Sequence, residues 1–137
     1  MLRVERYRPE LVTAASLSNK SVSAAELKEL MDFPNLQLLV LTMAQLPVGA
    51  GQQIASLKTL RELDLAGTNV TDADLRLLTG LTRLEALDLM GTGIADAGLE
   101  AVTELRALKT VSLARTRVTA NGLADLRQRR PDLKIER

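Results

Sequence analysis

Three carboxylates, Glu62, Asp64 and Asp88, have a spacing that could do chemistry. Asp64 and Asp88 stand in two near-identical stretches, LDLAGTNVTDADL from Leu63 and LDLMGTGIADAGL from Leu87, 24 residues apart. On neighbouring parallel strands, equivalent residues lie about 5 Å apart. Two carboxylates that close could hold a hard cation, work as an acid–base pair, or attract a basic partner. Composition narrows the choice. With no His and no Cys, disulfides, Cys/His zinc sites, thiol nucleophiles and His-based triads are excluded. No D-x-D-x-D-G-type loop and no G-x-G-x-x-G or G-x-x-x-x-G-K-[ST] phosphate cradle occurs. Nothing near the pair supplies a nucleophile or a substrate cradle. A solvated acidic face, tempered by Arg61 and Arg115, is therefore expected, with no catalysis, cofactor or metal.

A basic group of opposite sense closes the chain. Residues 81–104 hold one Arg against five carboxylates, whereas residues 105–137 hold nine Arg or Lys against three carboxylates. Arg127, Arg129, Arg130, Lys134 and Arg137 could meet phosphate or an acidic protein. A single Phe (Phe33) and a single Tyr (Tyr7) leave no stacking platform, and no known reading motif is present, which weighs against nucleic acid. A solvated basic end that discourages end-to-end stacking is the expected role. The first residues, MLRVERYRPELV, lack the apolar core of a secretory signal, and no stretch approaches 18 apolar residues. A soluble, cytoplasmic protein without a membrane span follows as the default.

Whatever positions these groups repeats every 24 residues. Four blocks align without gaps over 33–56, 57–80, 81–104 and 105–128, and a degenerate fifth, 9–32, is in register. Leu17, Leu41, Leu65, Leu89 and Leu113 form one column; Val22, Leu46, Val70, Ile94 and Val118 form another. Alternation at Leu63 and Leu65 is strand period, and the spacing from Leu75 to Leu78 is helix period. Thr71 with Asp74, and Ser23 with Glu26, have the form of helix N-terminal capping pairs. Gly67 and Gly91 mark the turn leaving the strand, and Gly98 and Gly122 read as tolerated near-terminal helix residues.

These motifs resemble the leucine-rich repeat family, and most closely its bacterial 24-residue repeats with a GT-x-[VI]-x-D-A-G-L core, relatives of the ribonuclease-inhibitor-like class. A preference for Arg over Lys is in keeping with a bacterial source. The family's ladder position, often Asn or Cys, reads Lys20, Ala44, Thr68, Thr92 and Thr116 here. The Thr hydroxyls are expected to bond a neighbouring turn, and the loops at Lys20 and Ala44 to be looser or differently shaped. The resemblance implies an α/β right-handed solenoid, with parallel strands on the concave side and helices on the convex side. One domain over residues 1–137 follows. Residues 1–8 cover the N-terminal end. Residues 129–137 cover the C-terminal end, where Leu133 and Ile135 close the core, Pro131 stops the last helix and the register slips by about a residue.

In that geometry the side chains between core positions face out from the concave sheet. Block 33–56 contains no charged residue, and its strand LQLLVLTM is apolar on both faces. Leu38, Val40 and Met43 are accordingly expected to be exposed apolar surface. Either a partner binds there, which includes a second copy of the chain, or a neighbouring segment of a larger protein covers it. The resemblance implies the concave face as the binding surface of a non-catalytic protein-interaction module. Its expected contacts are Leu38, Val40, Thr42, Glu62, Asp64, Asp88 and Met90, with a protein partner of unknown identity.

Overall fold

Short strands recur at the interval of the sequence repeat. The computed structural model describes residues 8–137, so the expected N-terminal cover over residues 1–8 lies, but for Arg8, outside the described residues. Six strands form one sheet in chain order: β1 (Ala14–Ser16), β2 (Leu38–Val40), β3 (Glu62–Asp64), β4 (Ala86–Asp88), β5 (Thr110–Ser112) and β6 (Lys134–Glu136). Every adjacent pair is parallel and offset by 24 residues. Leu39, Leu63, Leu87 and Val111 thus share one inward row, all buried, and Ile135 extends it half-buried.

Between strands the chain returns through α1 (Ala24–Glu29), α2 (Ala50–Ala55), α3 (Asp72–Leu77), α4 (Leu99–Glu104) and α5 (Ala120–Arg129), each against the next in order. Six-residue helices are far too short to persist alone. They are held by the Leu columns they bury and by their first turns. Ser23 with Glu26 and Thr71 with Asp74 both form complete capping boxes, and the Thr119 hydroxyl accepts from the Gly122 N–H.

The turn after each strand is the same in all five repeats. Asn19, Met43, Gly67, Gly91 and Arg115 all have φ between +56° and +70°. The loops at Lys20 and Ala44 therefore keep the common turn, contrary to expectation, although Met43 and Arg115 are bulky residues in a conformation that favours glycine. The ladder threonines also differ from expectation. Thr68, Thr92 and Thr116 each donate to a carbonyl of their own turn, Leu65, Leu89 and Leu113, at 2.7 Å. A hydroxyl on so short a side chain reaches its own turn more readily than the adjacent one.

Side-chain bonds between repeats include Asn69 with the Leu46 backbone and the Thr59 hydroxyl to the Leu36 carbonyl, and others run through aspartates. The Asp72 carboxylate accepts from the Ala95 N–H at 3.0 Å, and Asp96 accepts from both the N–H (2.8 Å) and the hydroxyl (2.5 Å) of Thr119. These bonds hold the Asp96 carboxyl below its ordinary pKa, the Thr119 hydroxyl contributing most. A Cβ on Gly98 would collide with the Asp72 carboxylate, and one on Gly122 with that of Asp96. Glycine is required there to admit the preceding repeat's Asp, rather than merely tolerated near a helix end. The sign of one substitution should consequently reverse with its background. In the wild-type chain Gly122→Ala lowers the urea midpoint; with Asp96→Ala already present it raises stability by about 0.5 kcal/mol, through ordinary helix propensity. Equal effects in the two backgrounds would exclude the coupling.

At the C-terminal end the expected slip is confined to a turn. The L-x-x-L that opens earlier repeats appears as Arg130-Pro131-Asp132-Leu133, one residue late, and α5 absorbs the extra residue with its ten residues. The strand is back in register, pairing Thr110 with Lys134, Val111 with Ile135 and Ser112 with Glu136. The closing segment is thus the sixth strand of the sheet.

Candidate functional site

Alternation places two rows of side chains on the open side of the sheet. One runs Leu38, Glu62, Ala86, Thr110, Lys134; the other runs Val40, Asp64, Asp88, Ser112, Glu136. They border a shallow groove of about 250 Å³ lined by Leu38, Val40, Glu62, Asp64, Asp88 and Glu136 among others. Five of the seven expected contact residues therefore share this groove. Thr42 and Met90 stand where the strands leave it.

The apolar end differs from expectation. Leu38 and Val40 are half-buried rather than exposed, since each is flanked by β1 on one side and by Glu62 or Asp64 on the other. The exposed apolar side chains at the strand exits are Met43, 60% exposed, and Met90, 42% exposed.

Asp64 and Asp88 are opposite one another in the β3–β4 register. Asp64 accepts from the Thr42 hydroxyl and from the Ala66 N–H, both at 2.9 Å. One oxygen of Asp88 accepts from the Met90 N–H at 2.9 Å. These bonds fix the direction of both carboxylates along the strand exit. No cation of the chain is paired with Glu62, Asp64 or Asp88 among the described residues.

Arg61, expected to temper this charge, points elsewhere. Its guanidinium donates to Glu85 at 3.0 Å, and Lys109 pairs with the other oxygen of Glu85 at 2.6 Å. Lys109 first, and Arg61 second, hold the Glu85 carboxyl below the usual carboxylate range. A group with a depressed native pKa contributes stability above its unfolded value, about 4.3, and loses it as pH falls through the native value. The melting temperature of the parent should therefore exceed that of Glu85→Gln at pH 7, and the gap should narrow below about pH 4. A gap that is constant from pH 7 to pH 3 would exclude a charge contribution.

The basic end is largely committed to the fold. Arg129 donates to both oxygens of Glu100, at 2.7 and 3.0 Å, and Arg130 reaches backbone carbonyls and Asp132. Arg127, Lys134 and Arg137 remain exposed. Glu136 was missed in the sequence as a groove residue. Its strand has the alternation K-I-E, but the slipped turn before it hides the repeat.

No group of three or more carboxylates that could hold a metal ion occurs among the described residues. No helix among them is long and apolar enough to cross a membrane.

Six parallel strands at a constant 24-residue step, with helices returning on the other face, define an α/β leucine-rich repeat solenoid. Residues 56–78 and 81–102 match the family model described as Leucine Rich repeat. Among solved structures, a leucine-rich repeat protein of Leptospira interrogans is similar at a TM-score of 0.64 and 19% identity, over 85% of this chain and 28% of that one. Internalin C2 of Listeria monocytogenes is similar at a TM-score of 0.55 and 27% identity, over 72% of this chain and 42% of that one. The chain spans less than half the length of either. No curated protein matches it. These findings support the leucine-rich repeat fold.

Proposed function

We propose that the chain is a non-catalytic protein-interaction module that binds a partner on its concave strand face. Leu38 and Val40 anchor the partner, Thr42 and Met90 border it, and Glu62, Asp64 and Asp88 form its polar surround. One observation carries this reading: the outward rows of the sheet line an open groove in which half-buried apolar residues adjoin unpaired carboxylates. Repeat scaffolds of this kind present an extended concave surface instead of an enclosed pocket.

Val40→Glu tests the reading, because a half-buried strand position tolerates the change without loss of the fold, which circular dichroism checks. Light scattering behind a sizing column comes first. A parent dimer that becomes a monomer in Val40→Glu identifies the partner as a second copy. If both are monomers, any protein captured by the parent should bind Val40→Glu at least about tenfold more weakly, the scale of an interface anchor. Undiminished binding by Val40→Glu overturns the assignment of this face.

A further inference from the structure

Among the described residues, several carboxylates are met by a cation, whereas the groove-facing carboxylates of β3 and β4, like Asp72 and Asp96 between repeats, are not. Glu10 is met by Arg8, Glu85 by Lys109 and Arg61, Glu100 by Arg129, and Asp132 by Arg130. Glu62, Asp64 and Asp88 have no such cation, although the chain as a whole is slightly basic. The groove lining includes these three and no Arg or Lys; it also includes Glu136, which Lys134 of the same strand meets at 4.0 Å. On its outward rows β2 presents Leu38 and Val40, β3 Glu62 and Asp64, β4 Ala86 and Asp88, and β5 Thr110 and Ser112, so an apolar strand adjoins two that carry carboxylates.

We infer that the occupant of this face is an extended cationic segment of a partner protein, with an apolar side chain seated at Leu38 and Val40 and a Lys or Arg two residues further on between Asp64 and Asp88. The inference rests on the concave-face reading and adds the chemistry of the partner to it. Strand spacing sets the two-residue step. Val40, Asp64 and Asp88 occupy successive strands, so the midpoint of the two carboxylates is about 7 Å from Val40 at about 4.8 Å per strand. Same-side residues of an extended segment repeat at about 6.7 Å, which matches when the segment crosses the strands. Both carboxylates are already oriented by Thr42, Ala66 and Met90. A cation placed between them is satisfied without reordering the groove.

The probe is the heptapeptide acetyl-Ser-Leu-Ser-Lys-Ser-Lys-Ser-amide, titrated into the isotope-labelled full chain and followed by amide chemical shifts. A second peptide carries Glu in place of each Lys. The Lys peptide should move the signals of Val40, Asp64 and Asp88, and its affinity should fall as added salt shortens the Debye length. Asp88→Asn should weaken it by about fivefold or more. Asn keeps an acceptor for the Met90 N–H, so the fold is preserved; Asp64→Asn is the second variant. Equal binding of the Glu peptide in the groove, or an unchanged affinity in both Asn variants, overturns the cationic assignment and leaves the concave face standing. Shifts confined to the helical side overturn both. An absence of shifts with either peptide overturns the cationic assignment, while Val40→Glu continues to test the face independently.

Discussion

Leu65→Ala should lower the unfolding free energy by about 3–4 kcal/mol, measured by urea denaturation, whereas Leu17→Ala in the same column should cost about 1–2 kcal/mol. Leu65 is fully buried, with Leu41 and Leu89 at the equivalent positions of the two adjoining repeats, both also fully buried. The backbone around it cannot close on a cavity. The Leu65 N–H donates to the Asp88 carbonyl at 2.9 Å, and the Leu41 N–H donates to that of Asp64 at 2.9 Å. Movement of any one layer would break bonds in two others. Leu17 is only half-buried, in the first described strand's repeat, and so loses less transfer energy. In a solenoid each repeat leans chiefly on its neighbours, so central and terminal deletions differ by the interface they remove. Total stabilities of 5–15 kcal/mol leave Leu65→Ala near the threshold of folding at 37 °C. Equal losses at the two positions would mean that the first repeat is as tightly packed as the middle of the stack.

The fold was legible because three signals agree within every repeat. Leu63 and Leu65 alternate as a strand, Gly67 permits the left-handed turn, and Thr71 with Asp74 starts a helix. The concave rows were legible for the same reason, since a period of two leaves no freedom over which face Val40, Asp64 and Asp88 occupy. Residue type did not show that Met43 and Arg115 also adopt the left-handed turn. Bonds to the neighbouring turns, on both sides at Met43 and from the preceding repeat at Arg115, outweigh a local penalty of about 1–2 kcal/mol. The role of Gly98 and Gly122 was hidden because the atom that excludes a side chain belongs to the preceding repeat. The half-burial of Leu38 and Val40 is likewise a property of flanking strands, which a one-dimensional pattern cannot express. The direction of Arg61 toward Glu85 depends on a 24-residue contact at the strand entrance, away from the groove.

Arg130→Ala should cost about 2–3 kcal/mol, a large effect for an arginine near the end of a chain. Arg130 takes the place that Leu57, Leu81 and Leu105 fill in earlier repeats, as its Arg-Pro-Asp-Leu turn shows: the Leu133 N–H donates to the Arg130 carbonyl as that of Leu108 does to Leu105. Its side chain is only 11% exposed. The guanidinium donates to the carbonyls of Leu105 at 3.1 Å and Leu108 at 2.8 Å, and to both oxygens of Asp132 at 3.1 and 3.0 Å. Arg130 chiefly holds the Asp132 carboxyl below its ordinary pKa. In place of the Leu of earlier repeats, the guanidinium fork ties the carbonyls of the preceding turn to Asp132. Lys cannot supply that planar fork, so Arg130→Lys should recover less than half of the loss. Arg130→Leu separates the guanidinium contacts from packing. It restores the side chain of the column but removes the donor to the Leu108 carbonyl, while the Leu105 carbonyl keeps the Leu108 N–H. The expected result is a chain destabilised by about 1–2 kcal/mol in urea denaturation. An Arg130→Leu chain as stable as the parent would show that the guanidinium contacts contribute nothing to stability.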